Sequence, residues 1–89
     1  MSKKDENMIT ELFELIASTK NAEDCRALFN DLCTVKEIEQ MAQRVKAAKL
    51  LIEGKTYNQV IEATDISSAT LSRVSRCVQY GEGYSKFLK

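Results

Sequence analysis

The stretch QVIEATDISSATLSRV, Gln59 to Val74, decides how this 89-residue chain is read. Just ahead of it, Thr56 and Gln59 stand three apart, the spacing of a capping box in which two side chains satisfy two orphan backbone amides reciprocally. A short helix is predicted from there, over about Tyr57 to Ala63. Thr64, Asp65 and Ile66 follow as a tight turn, and aspartate is among the residues that tolerate the positive φ such a turn asks for. Ser67 or Ser68 can cap a second helix reaching about Arg76. Val60, Ile61, Ile66, Leu71 and Val74 supply apolar side chains at the joint. Two short helices across a tight turn make a helix-turn-helix, from about Thr56 to Arg76.

The chemistry of that unit follows from the residue types. Its second helix would present an N-terminal turn to the major groove of double-stranded DNA. Ser67, Ser68, Ala69 and Thr70 are small enough to let the backbone approach base edges. Their hydroxyls can bond a base or phosphate, and Ala69 or the Thr70 methyl can touch a thymine methyl. Ser72 lies on the same helix. Arg73 and Arg76, three apart, share a face and can reach phosphates. Tyr57 and Asn58 open the first helix, where amide and side-chain donors clamp a backbone, and Lys55 sits just before them. The competing reading makes these residues caps and solvated polar groups, with the fold kept as a module that docks a partner protein.

Working outward, the chain is helical almost throughout. It has no proline and three glycines, and Ala, Leu, Glu, Lys and Gln abound. Ile9, Leu12, Phe13 and Ile16, widened by Met8 and Leu15, predict an amphipathic helix from about Asp5 to Ser18, after a frayed start at Met1 to Lys4. Asn21 caps a second helix, Ala22 to about Asp31, with Cys25, Leu28, Phe29 and Leu32 at the same spacing. Thr34 and Glu37 form another capping box and open a long third helix, about Val35 to Glu53, which Gly54 ends. Its apolar set is two-sided: Ile38, Met41, Ala42, Val45, Ala48 and Ile52 on one stripe, Ala47, Leu50 and Leu51 on another. A helix apolar on two sides must pack on two sides. In one small domain spanning residues 1–89, a second copy of the chain is the expected partner surface, so a homodimer is predicted.

Composition narrows the function classes. The formal net charge is zero, but residues 1–39 hold 5 Lys/Arg against 9 Asp/Glu and residues 40–89 hold 8 against 4. The basic half is where a polyanion would dock. Cys25, Cys33 and Cys77 are odd in number and without CxxC spacing, and read as reduced thiols. The chain has no histidine. No metal site, no cofactor and no nucleophile–base pairing is evident, so an enzyme is not expected. No run approaches the ~18 apolar residues of a membrane span. A soluble, cytoplasmic protein with no membrane partner is expected.

From Thr34 onward the order of motifs resembles the Trp repressor superfamily. The residues that carry the likeness are Gln43-Arg44-Val45, Leu50-Leu51-Ile52-Glu53-Gly54 and Ala69-Thr70-Leu71-Ser72-Arg73. Asp31-Leu32-Cys33-Thr34, Glu53-Gly54-Lys55-Thr56-Tyr57, Arg76-Cys77 and Tyr80-Gly81 point within it to the YerC/YecD-type branch of small TrpR-related proteins. The resemblance implies an all-α helical bundle of six short helices per chain. It also implies an intertwined homodimer whose helix-turn-helix units read successive major grooves, and a role in transcription regulation, as in a repressor. In amino-acid-responsive members, two arginines matching Arg44 and Arg73 sandwich the corepressor's indole, and a threonine matching Thr34 holds its carboxylate. This chain departs from that pattern. Val74 stands where those members have glycine, and Cys77 stands where a serine binds the ligand amine. Thr34, Arg44, Arg73, Val74 and Cys77 are therefore a candidate effector pocket from which tryptophan is expected to be excluded. Arg44 and Arg73 can equally serve interhelical or phosphate contacts.

Overall fold

Polar side chains set where most helices of the computed structural model begin. The structure describes residues 1–89 and contains six helices and no strand. The chain divides into two compact units, Met1–Val35 and Lys36–Lys89.

In the first unit, α1 (Lys3–Ala17) starts earlier than its apolar spacing predicts. The Ser2 hydroxyl accepts the Asp5 amide at 3.1 Å and donates to the Asp5 carboxylate at 2.9 Å, which fixes the first turn in place of the frayed start. α2 (Ala22–Leu32) starts from Asn21, whose side-chain oxygen accepts the Asp24 amide at 2.8 Å. Neither helix contains a buried residue. Met8, Ile9, Phe13 and Leu15 of α1 and Leu32 of α2 are exposed, and Leu12 and Ile16 half-buried, so the apolar stripe of α1 is only partly covered within the chain.

The second unit holds the core. α3 (Val35–Ile52) ends in a Schellman closure. The Lys55 amide donates to the Leu50 carbonyl and the Gly54 amide to the Leu51 carbonyl, both at 3.0 Å. Gly54 has φ +91°, which glycine adopts without the Cβ penalty of other residues. α4 (Tyr57–Thr64) begins with the expected capping box: the Gln59 amide donates to the Thr56 hydroxyl and the Thr56 amide to the Gln59 side chain. Asp65 ends α4 in the left-handed region at φ 60°, as the turn reading requires. α5 (Ser68–Tyr80) runs four residues beyond the expected end at Arg76, since no stop signal precedes Gly81. A Cβ at Gly81 would lie 2.7 Å from the Cys77 carbonyl oxygen, so only glycine lets the chain leave α5 on this path. α6 (Gly83–Leu88) follows.

Ala47, Ala48, Val60, Ile66, Leu71 and Val74 are buried together, with Leu50, Leu51, Ile61, Val78, Tyr84 and Leu88 packed around them. α3 therefore contributes its Ala47–Leu50–Leu51 stripe and Ala48 to this core. Ala42 and Val45 on its other stripe are exposed, and Ile38, Met41 and Ile52 only half-buried. Within the chain one side of α3 is well covered and the other only in part.

Candidate nucleic-acid interface

α5 is built from two interleaved stripes, each following the 3.6-residue period. Leu71, Val74, Ser75 and Val78 face inward: the first three are buried and the fourth half-buried. Ala69, Ser72, Arg73 and Arg76 repeat the same spacing one face around, and all four are exposed. The helix carries two arginines and no acidic residue, so its outer face is cationic. Ser68 stands exposed in its first turn.

Ser67 is occupied by capping. Its hydroxyl accepts the Thr70 amide at 3.2 Å and donates to the Thr70 hydroxyl at 2.9 Å. This settles the Ser67-or-Ser68 alternative in favour of Ser67 as the cap, with Thr70 half-buried. Ser68, Ala69 and Ser72 are left as the small residues that face solvent. Lys55, Tyr57 and Asn58, at the start of α4, are also exposed.

Of the residues assigned to an effector pocket, Thr34 lies in the first unit and Arg44, Arg73, Val74 and Cys77 in the second. Arg44 is half-buried and Arg73 exposed. Val74 is 2% exposed and belongs to the core. Cys77 lines an apolar groove of about 580 Å³ with Val45, Gly81, Gly83, Tyr84, Phe87 and Leu88, and neither arginine lines it. The resemblance implies a sixth helix, but neither its place nor the groove is evident from the residue pattern. The only signal is Tyr84, Phe87 and Leu88 at i, i+3 and i+4, too short a run to stand out.

The sequence profile of the Trp repressor protein family matches residues 7–89. The chain belongs to the Trp repressor family. The family is regulatory and non-enzymatic. A relative, the uncharacterized protein YerC of Bacillus subtilis (strain 168), is 47% identical over 73 residues, 82% of this chain and 70% of YerC. Two crystal structures share the Trp-repressor-like fold. One, from Staphylococcus aureus and provisionally described as a Trp repressor, superposes with a TM-score of 0.88 at 36% identity, covering 99% of this chain and 92% of its own. The other, a TrpR-like protein from Eubacterium eligens, gives 0.86 at 40% identity, covering 90% of this chain and 84% of its own. No helix of this Trp repressor family member is long and apolar enough to cross a membrane.

Proposed function

We propose that this protein is a sequence-specific, DNA-binding transcriptional regulator. On this reading, residues 1–89 act as one TrpR-like domain in an intertwined cytoplasmic homodimer, each helix-turn-helix entering a major groove. The observation that carries the reading is the outer stripe of α5, with Ala69 and Ser72 small beside Arg73 and Arg76 and no acid among them. Ser68, Ala69 and Ser72 meet base edges, Arg73 and Arg76 meet phosphates, and Lys55, Tyr57 and Asn58 clamp the backbone. The uncovered apolar residues of α1, α2 and the outer side of α3 support the homodimer. Selection of bound duplexes from a random pool tests the reading. A dimer that enriches no sequence is instead an interaction module.

Phosphate and base roles separate under salt. Arg76→Ala weakens binding about equally across sequences and flattens the salt slope by roughly 0.9 for each phosphate it ceases to neutralise. Changes at Ser68 or Ala69 alter sequence preference instead, by ~1–3 kcal/mol of discrimination. An Arg76→Ala protein with altered preference and an unchanged slope would reverse these roles.

Free tryptophan is not the effector, which leaves room for a different small molecule. A buried Val74 makes insertion of an indole cost ~1–3 kcal/mol of repacking. Cys77 in place of a hydroxyl partner for the ammonium forgoes a further ~1.5–3 kcal/mol. The combined loss is about two to four orders of magnitude in affinity. Because the chain has no Trp and three Tyr, tryptophan emission reports binding without background. A saturable blue shift at micromolar protein would restore Thr34, Arg44 and Arg73 as its site.

A further inference from the structure

One hydrogen bond ties the helix-turn-helix to the helix before it, and its placement gives it a task the apolar core cannot perform. Gln43 Nε2 donates to the Thr64 carbonyl oxygen at 3.1 Å, across 21 positions of sequence. Thr64 is the last residue of α4, and its carbonyl has no partner within the helix. The same residue holds the turn together: its hydroxyl donates to the Val60 carbonyl at 2.7 Å and accepts the Ile66 amide at 3.3 Å. The next residue, Asp65, is in the left-handed conformation and donates its amide to the Ile61 carbonyl at 2.8 Å. Thr64 is thus a node: the node fixes the turn, and Gln43 fixes the node to α3.

The stripe of α3 that enters the core reads Gln43, Ala47, Leu50, Leu51, at i, i+4, i+7 and i+8. Ala47 and Ala48 are wholly buried and let the backbones come close. Methyl surfaces attract without direction, so they fix separation but tolerate rotation and sliding. A hydrogen bond weakens steeply with misalignment and fixes register. The exposed Ser68 and Ala69 follow Thr64 by four and five residues, so a shift of the node is passed directly to the start of α5.

We infer that Gln43 is a positioning residue for DNA recognition: through Thr64 it sets the angle at which α5 presents its outer face. The inference rests on the DNA-binding reading for its functional half and on geometry alone for its structural half.

Gln43→Met keeps the volume and removes the donor; Gln43→Glu sets a carboxylate oxygen against the carbonyl. Amide hydrogen exchange of the intact protein is the structural readout. Loss of one net hydrogen bond predicts exchange about five-fold faster at Asp65 and Ile66 in Gln43→Met, and faster still in Gln43→Glu, with α1 and α2 unchanged. On duplexes selected by the wild-type protein, both variants lose discrimination between selected and scrambled sequence by about three- to ten-fold at an unchanged salt slope. General destabilisation would instead weaken binding to both sequences together. Unchanged exchange at Asp65 and Ile66 in both variants overturns the tether. Faster exchange with full discrimination overturns the positioning role. A wild-type protein that selects no sequence overturns the DNA-binding reading and the positioning role with it, while exchange still decides the tether.

Discussion

Replacing Leu71 by alanine is expected to lower stability by about 2–5 kcal/mol and to abolish DNA binding with it. Leu71 is completely buried and, with Val60 and Val74, is among the largest fully buried side chains. It joins the inner stripe of α5 to α3 and α4, and the surrounding core is short of material to fill a void: two of its six members, Ala47 and Ala48, have only a methyl to offer. A cavity there stays open, which places the expected loss toward the upper end of the range. Native domains hold about 5–15 kcal/mol in total. A chain of 89 residues buries too little surface to sit high in that range. Urea unfolding at fixed protein concentration measures the effect, and Ser72→Ala on the outer stripe of the same helix should stay within about 0.5 kcal/mol. A loss below about 1 kcal/mol for Leu71→Ala would mean that the helix-turn-helix is not held by this core.

The second large effect concerns assembly. The wild-type protein is expected to sediment as a dimer at micromolar concentration, with an unfolding midpoint that rises with concentration. Phe13→Asp should abolish that behaviour. Phe13 is 62% exposed, in company with Met8 and Leu15 on the same helix, so within one chain the substitution removes little packing. In a two-fold symmetric dimer every interface position occurs twice. Burying one such side chain contributes ~1.5–3 kcal/mol, two contribute ~3–6, and the dimer dissociation constant rises by about two to four orders of magnitude. A wild-type monomer with a concentration-independent midpoint would overturn the homodimer, and an unaffected Phe13→Asp dimer would move the interface away from α1.

The fold is legible wherever the chain carries its own punctuation. Asn21, Thr56 and Gly54 mark helix ends, and the ends fall within a residue or so of where those side chains put them. The misses share one cause: local features without a strong pattern. Ser2 reads as part of a loose terminus, and only the bridge from its hydroxyl to Asp5 makes it a cap. α6 has six residues, fewer than two turns, so its apolar spacing cannot be told from chance. For the site, the outer face of α5 follows from period alone, because fixing Leu71 and Val74 inward sends Ala69, Ser72, Arg73 and Arg76 outward. What period cannot give is the state of individual hydroxyls and amides. Ser67 is committed to its cap, and Gln43 to a carbonyl far along the chain. The first choice, between Ser67 and Ser68, is decided by local geometry, and the second depends on the distance between segments 21 positions apart, which no local pattern encodes.

The separation of α5 into an inner and an outer stripe bears on how such a protein can change over generations. Substitutions on the outer stripe leave the inner one intact, so binding preference can be rewritten residue by residue without passing through an unfolded intermediate. Length changes have no such freedom. Adding or removing one residue inside α5 turns everything beyond it by about 100°. An insertion before Arg73 would put it in the place of Val74, and a deletion there would put Arg76 in the place of Ser75, each burying a charge. On the proposed DNA-binding reading, new specificities would be reached by exchange of side chains at fixed length, with the thirteen-residue span of α5 as the fixed frame.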